Sequence, residues 1–397
     1  MPSTAPIKRA CNKQGQFTSE LLETKHQAQL AAGFQTDLGF DSRSLPSTFA
    51  PTPGLLPRVL VDSCIYYFFR HVYPSEPVLH RQQAQKAIDQ MCSSTEAYCM
   101  IAALCAYVMI HAHYKPPVSV LPRPEMANES NVKIGHVLLE ESIRVRKGYK
   151  HQDNPSNLTV LTSWFYSECC FGLAEKYTPW TYLREATTQA QLLGMHDEDN
   201  YKGDPLDASH MRILYWVLFI AERTYALHDK RPTSLYATIY PPSLDEVASD
   251  RSFIVGLQIM IKMFQIIGDR FIRVWNEPQD NDTDVLWIPQ IYKQMLKAVP
   301  KILACANGQR IEIHTTNVWL YLKIWQLSNL KYSLHEEDSF YDHLISIFDG
   351  EQIVLSIQSI SKLLCEQDVT TLGKGLVISV QALLSLAVIA SIAPAQY

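Results

Sequence analysis

Apolar residues in this chain recur at three- and four-residue intervals over long stretches, and prolines, glycines and polar clusters mark the gaps between them. That spacing predicts helices. The segment PRVLVDSCIYYFFRHVYP (57–74) reads as one, with Pro57 near its start, Asp62 in an early turn and Pro74 and Pro77 stopping it. Residues 79–115 give two more, the second dense in Ala, Cys and Met, before the proline-marked loop KPPVSVLPRPE (115–125). An amphipathic helix follows at 128–148. The turn between LTVLTSWFYSECCFGLAEKY (158–177) and PWTYLREATTQAQLLGMH (179–196) is so short that these two helices must lie antiparallel. Helical spacing resumes after Arg231-Pro232 and Pro241-Pro242, over 252–275, 284–304, 312–333, 338–365 and 374–392. No strand-period alternation between hairpin turns and no repeat of fixed period occurs. The fold class expected is all-α: one large domain over 57–397, a bundle-like array of antiparallel helix pairs. Residues 1–56 form a partly disordered arm in this reading. Its start is polar, Thr18 or Ser19 offers an N-cap for ELLETKHQAQLAA, and the Gly-, Pro- and Ser-rich stretch from 33 reads as a linker.

One stretch stands apart. MRILYWVLFIAERTYALHDKRP (211–232) has no clean polar face between Ile213 and Ala221. A helix apolar all round is buried, in a large protein or in a membrane. Glu222, Arg223, Asp229, Lys230 and Arg231 cut the run too short for a span, so it reads as the central core helix, with Glu222 and Arg223 as an ionic pair near its end. Asp204, Pro205 and Asp207 form its start signal: a cap, a first-position proline and an acidic first turn.

Composition narrows the partners. The chain is 47% hydrophobic and 19% charged, enough for a sizeable core, and its net charge of -5 gives no bulk attraction to nucleic acid or anionic membrane. Nine cysteines, several inside apolar helical runs, read as reduced, buried thiols rather than a disulfide framework. The amino terminus lacks the apolar stretch of a secretory signal. The uncharged run LVISVQALLSLAVIASIAPAQY (376–397) is long enough to span a bilayer. Ser379, Gln381, Ser385 and Ser391, and the lack of aromatic or basic flanks beyond Lys374, favour a buried terminal helix and no membrane association.

Candidate chemistry is sparse. His111 and His113 stand at i, i+2, which is not one helical face, and a helix C-terminal histidine pair explains them better than a metal site. His196, Asp197, Glu198 and Asp199 could hold a hard cation but lack calcium-loop spacing. Gly194 as a helix-ending glycine before a solvated acidic loop explains them better. Cys169-Cys170 lies in an aromatic helix without an adjacent base and reads as core. No nucleophile elbow, phosphate loop, zincin or kinase signature is present, and no catalytic residue is assigned. The chain is not expected to be an enzyme.

Four stretches, in order, carry a resemblance: VDSCIYYFFRHVYPSEPVLHR (61–81), AYCMIAALCAYV (97–108), PWTYLREATTQAQLLGMHDE (179–198) and MRILYWVLFIAERTYALHDKRP (211–232). Together they resemble the regulatory middle homology domain of fungal binuclear zinc-cluster transcription factors, most of all the amylolytic and maltose activators and the regulators of secondary-metabolite clusters. The resemblance implies a nuclear regulator of a metabolic or secondary-metabolite biosynthetic gene cluster. It would act through protein–protein or ligand-sensing interactions, as a homo- or hetero-dimer with zinc-cluster factors, with a small-molecule inducer among its partners. The alternative from another class is a helical small-molecule-binding or enzyme-accessory protein with no direct role on DNA.

Two departures qualify it. Family members open with six cysteines binding two zinc ions. Here Lys8-Arg9-Ala10-Cys11 looks like such an opening, but the next cysteine is Cys64. Cys11 alone cannot build the cluster, so no cofactor is assigned, and zinc is expected only if the cluster is restored. With Lys8, Arg9 and Lys13 as the only nearby cations, contact with DNA would be indirect, through a partner. A skipped exon after Cys11 would give the same sequence. The second departure is Lys230, where the family has a glycine before Arg-Pro, which puts the tightness of that turn in doubt.

Overall fold

The computed structural model describes residues 49–244, 251–277, 287–300, 303–305 and 307–332. Its described residues hold eleven α-helices and no strand, the all-α class expected. They are α1 (Arg58–Tyr67, continued by a π turn at Phe68–Val72), α2 (Arg81–Gln90), α3 (Thr95–Ile110), α4 (Asn131–Arg146), α5 (Asn157–Gly172) and α6 (Thr178–Leu192). After these come α7 (Pro205–Asp229), α8 (Arg251–Ile266), α9 (Asp269–Asn276), α10 (Trp287–Leu296) and α11 (Asn307–Tyr332). The helical spacing read at 338–365 and 374–392, the helix after Thr18 and the Cys11 segment lie outside the described residues, as does the terminal apolar run.

Local chemistry sets the helix starts. Hydroxyls of Ser94, Ser130 and Ser156 accept backbone N–H groups in the first turns of α3, α4 and α5, filling bonds that a helix cannot make for itself. At α5 the exchange is reciprocal, since the Ser156 N–H donates to Thr159 Oγ1 at 2.9 Å. Asp204 Oδ1 accepts from the Asp207 N–H at 3.2 Å, so the start signal read for α7 operates as expected.

The enclosed helix is α3, not α7. Every residue from Ala97 to Ile110 is buried. Helices α1, α2, α4 and α5 pack around it, and α6 lies antiparallel on α5 across the short turn. Small residues let these axes close. A Cβ on Gly135 of α4 would lie 2.7 Å from Ile110 Cγ1 and 3.1 Å from the Ala106 carbonyl oxygen. In contrast, α7 leaves Val217, Ile220 and Thr224 half-buried along one seam. Its position is central in another sense: it packs on α6 to one side and on α8 and α9 to the other, and so joins the first six helices to α8–α11.

Residues 49–56, counted with the linker from composition, are docked. Glu141 on α4 is fully buried and accepts the Thr52 N–H at 2.7 Å and its hydroxyl at 3.0 Å, and Leu55 and Leu56 enter the core. Two consecutive leucines after a Pro-rich stretch have nowhere else to bury. Gly135→Ala should lower stability by about 1–3 kcal/mol, because Ile110 and the α3 backbone have to shift to admit the methyl. Chemical denaturation of the variant beside the parent checks this, and an unchanged midpoint would contradict the close α3–α4 approach.

Candidate functional site

Six residues of α7, Arg212, Tyr215, Trp216, Phe219, Glu222 and Arg223, are spaced to share one helical face. Across that face runs the segment from Arg231 to Ser243, which has no regular secondary structure. Pro232, Pro241 and Pro242 cannot donate and cannot continue a helix, so the segment stays extended. With no ladder partner, its buried backbone groups need side chains. The α7 face and its neighbours supply them. This segment is called the strap below.

Glu222 has no solvent exposure. Its Oε2 accepts the N–H groups of Ser234 and Leu235, each at 2.8 Å. Oε1 accepts the Ser234 hydroxyl at 2.7 Å and Arg184 Nη1 of α6 at 2.6 Å. Next to it, Arg223 donates to the Leu235 carbonyl at 2.9 Å and to Asp269 Oδ1 of α9 at 2.7 Å, with its guanidinium 3.5 Å over the Phe219 ring. Burial pulls the Arg223 pKa down, against the charges of Asp269 and Glu222, which hold it up. Adjacent on the helix, Glu222 and Arg223 pair outward with different helices. This corrects the pairing with each other expected from sequence: neighbours in a helix point about 100° apart.

Further along, the Tyr215 hydroxyl donates to the Tyr236 carbonyl at 2.7 Å. Trp216 Nε1 (3.0 Å) and Arg212 Nη1 (2.9 Å) both donate to the Tyr240 carbonyl. Glu198 takes Arg212 in a two-pronged ion pair and accepts the Tyr240 N–H at 2.9 Å. From α6, Gln191 donates to the Ser234 carbonyl at 2.9 Å. Leu235 and Ile239 are thereby turned into the core, and Tyr236 and Tyr240 face outward. The arrangement binds polypeptide backbone.

The turn that feeds the strap resolves the doubt over Lys230. Its φ is +53°, the left-handed region in which the family's glycine sits without strain. The tight turn forms with lysine, at a strain of about 1–2 kcal/mol.

The other candidates resolve separately. His111 caps the end of α3 and is buried with its Nδ1 4.0 Å from Glu168 Oε2. His113 follows in a left-handed turn, with burial lowering its pKa. Gly194 (φ +68°) ends α6: its N–H reaches the Gln191 carbonyl, and that of Met195 the Ala190 carbonyl. Within the loop read as a solvated acidic one, Asp197 and Asp199 are exposed as expected, but Glu198 is not idle, being the Arg212 partner. Cys169 and Cys170 are buried, and burial pushes both thiols up, as befits core residues. Among the described residues no group of three metal-ligating side chains gathers, and no helix is long and apolar enough to cross a membrane. Sequence reading missed Arg184, Ser234 and Asp269. The available signal was the polar tips at 212, 215, 216, 222 and 223, which share a helical register and demand partners.

Trp216→Ala should cost about 3–5 kcal/mol, since the indole is fully buried and holds the strap. Unchanged thermal stability would contradict that. Glu198 gives a pH test. The Arg212 hydrogen bond holds its carboxyl below the usual range. The bond's contribution is therefore present above the unfolded carboxylate value of about 4.3 and lost as pH falls through the lower folded value. Denaturation midpoints of the parent and Glu198→Gln should differ at neutral pH and converge as pH drops below that value. A gap independent of pH would refute the ion pair.

With this geometry in place, the comparisons are specific. Residues 65–244, from within α1 to just past the strap, match the family described as "Fungal specific transcription factor domain". The probable sucrose utilization protein SUC1 of Candida albicans is 24% identical over 342 residues, 79% of this chain and 66% of its own length. The maltose fermentation regulatory protein MAL13 of Saccharomyces cerevisiae is 22% identical over 71% of this chain and 59% of its own. The respiratory transcription factor ZNF1 of the same yeast is 21% identical over 68% and 57%. The chain thus spans less than two thirds of the length of these relatives. No solved structure matches.

Proposed function

We propose that this chain is the regulatory part of a transcription regulator acting in the nucleus on a metabolic gene set; the match of residues 65–244 to the fungal specific transcription factor domain, the family the resemblance pointed to, supports it. Sugar utilisation is the best-supported target. One observation carries the reading: the family match begins in α1 and ends at Leu244, one residue past the strap, and similar proteins bear the names of a probable sucrose utilization protein and of maltose fermentation regulatory proteins. A secondary-metabolite gene cluster, the other target suggested by resemblance, has no support from these relatives. They and the family are transcription regulators, not enzymes.

The domain acts by contact. Its α7 face of Arg212, Tyr215, Trp216, Glu222 and Arg223 is spent on holding its own strap, which leaves the outer surface for partners, including a second zinc-cluster regulator as homo- or hetero-dimer. Contact with DNA passes through that partner, since Cys11 is followed by no cysteine until Cys64. A sugar or related inducer acts on the helical domain.

Deleting the gene in its native host should change transcript levels of disaccharide transport and hydrolysis genes when a disaccharide is the carbon source. The purified chain alone should give no sequence-specific shift of their promoters at about physiological salt. Unaltered transcripts would overturn the assignment to sugar genes, and a specific shift by the chain alone would overturn the indirect route to DNA.

A further inference from the structure

We propose that Ser234 is a phosphoryl acceptor for an arginine-directed serine/threonine kinase, and that phosphorylation there opens the strap. Two independent sets of observations meet at this residue. The first is what a kinase would read. Kinases take their substrates as extended chain and select them by the charges around the acceptor. The segment Arg231-Pro232-Thr233-Ser234-Leu235 has no regular secondary structure and follows the left-handed turn at Lys230; it places Arg231 three residues and Lys230 four residues before the acceptor, and puts a leucine after it. Lys230 is exposed. Arg231 is half-buried, lies only 5.9 Å from the Tyr177 ring centroid, and makes no ion pair to a carboxylate within the described residues that would tie it down.

The second is what the phosphate would do. The Ser234 hydroxyl donates to Glu222 Oε1 at 2.7 Å and accepts from Arg184 Nη1 at 2.6 Å. In the transfer, Ser234 Oγ attacks the γ-phosphorus of ATP, the new O–P bond replaces the bridging β–γ P–O bond, ADP leaves, and the hydroxyl proton passes to the kinase's own base. The product carries close to two negative charges where a proton donor had been. It faces a carboxylate with no solvent exposure, and Arg184, the one cation among the described residues that bonds to the Ser234 hydroxyl, already serves that carboxylate. Like charges at this separation, one of them on a carboxylate without solvent exposure, repel too strongly for both to keep their places. The strap is the part that moves, because it is held by side chains alone. Its release takes Leu235 and Ile239 out of the core and uncovers Trp216 and Phe219. Thr233 is the neighbouring hydroxyl, and it has no part in the Glu222 contacts.

Ser234 is half-buried, so the reaction runs through a locally opened strap. That gives a readout which an ordinary surface serine would not show: weakening the clasp by Glu222→Gln should speed phosphorylation. The full chain is incubated with ATP and an arginine-directed kinase, the modified residue is mapped by mass spectrometry, and limited proteolysis follows strap opening. The expected results are phosphate on Ser234, none in Ser234→Ala, faster incorporation in Glu222→Gln, and cleavage within 232–244 roughly tenfold faster or more after modification. Phosphate on Thr233 instead, none at Ser234 in either the parent or Glu222→Gln, or modification at Ser234 with unchanged cleavage would each overturn the proposal.

Discussion

Glu222 sits with no exposure to water at the point where α6, α7 and the strap meet. Burying an ionised carboxylate costs several kcal/mol unless its oxygens are filled. Here two backbone N–H groups, a hydroxyl and a guanidinium fill them, and those donors come from two separate parts of the chain, the strap and α6. The carboxylate therefore cannot be satisfied until α6 is docked on α7 and the strap is laid down. Arg223, one residue on, makes the matching demand of α9 through Asp269. Two adjacent residues thus tie the α1–α6 half of the fold to the α8–α11 half. The same pair makes the strap part of the core even though it has no ladder of its own.

This constraint explains why one motif dominates the sequence. A helix whose only task is to fill space needs volume and apolarity, and many residues satisfy that, as in α3, with its run of Ala, Cys, Met, Leu and Ile. A helix that must also receive an extended backbone needs hydrogen-bonding tips at set positions on a large apolar body. Arg212, Tyr215, Trp216, Glu222 and Arg223 are such residues. The lysine at 230 shows which part of the arrangement tolerates change. Turn geometry survives the loss of the family's glycine, because the contacts downstream hold the backbone in place.

Much of the fold was legible. Helical spacing, the Asp204 cap and Gly194 are local, and local chemistry decides them. That α3 is more completely enclosed than α7, itself a buried core helix as expected, has a physical source. An all-apolar helix and one with aromatic bodies and polar tips look alike by hydrophobicity, and only partners at long sequence separation tell them apart. The same holds for Glu222 and Arg223, adjacent in sequence and paired across the fold with Arg184 and Asp269, 38 and 46 residues away. Residues 49–56 were misread for a related reason, since composition marks a linker but cannot show that Glu141 waits to cap it. The candidate site was half legible: its helix was singled out, and its ligand, the chain's own strap, was not.

The central claim is that a buried carboxylate holds the strap as firmly as a sheet would hold a strand. Residue-resolved hydrogen exchange of the backbone amides tests it directly. The account predicts that the Ser234, Leu235 and Tyr240 amides, which donate to Glu222 and Glu198, exchange far more slowly than those of a free loop, and that Glu222→Gln selectively speeds the first two. Exchange of all three at free-loop rates in the parent protein would contradict it.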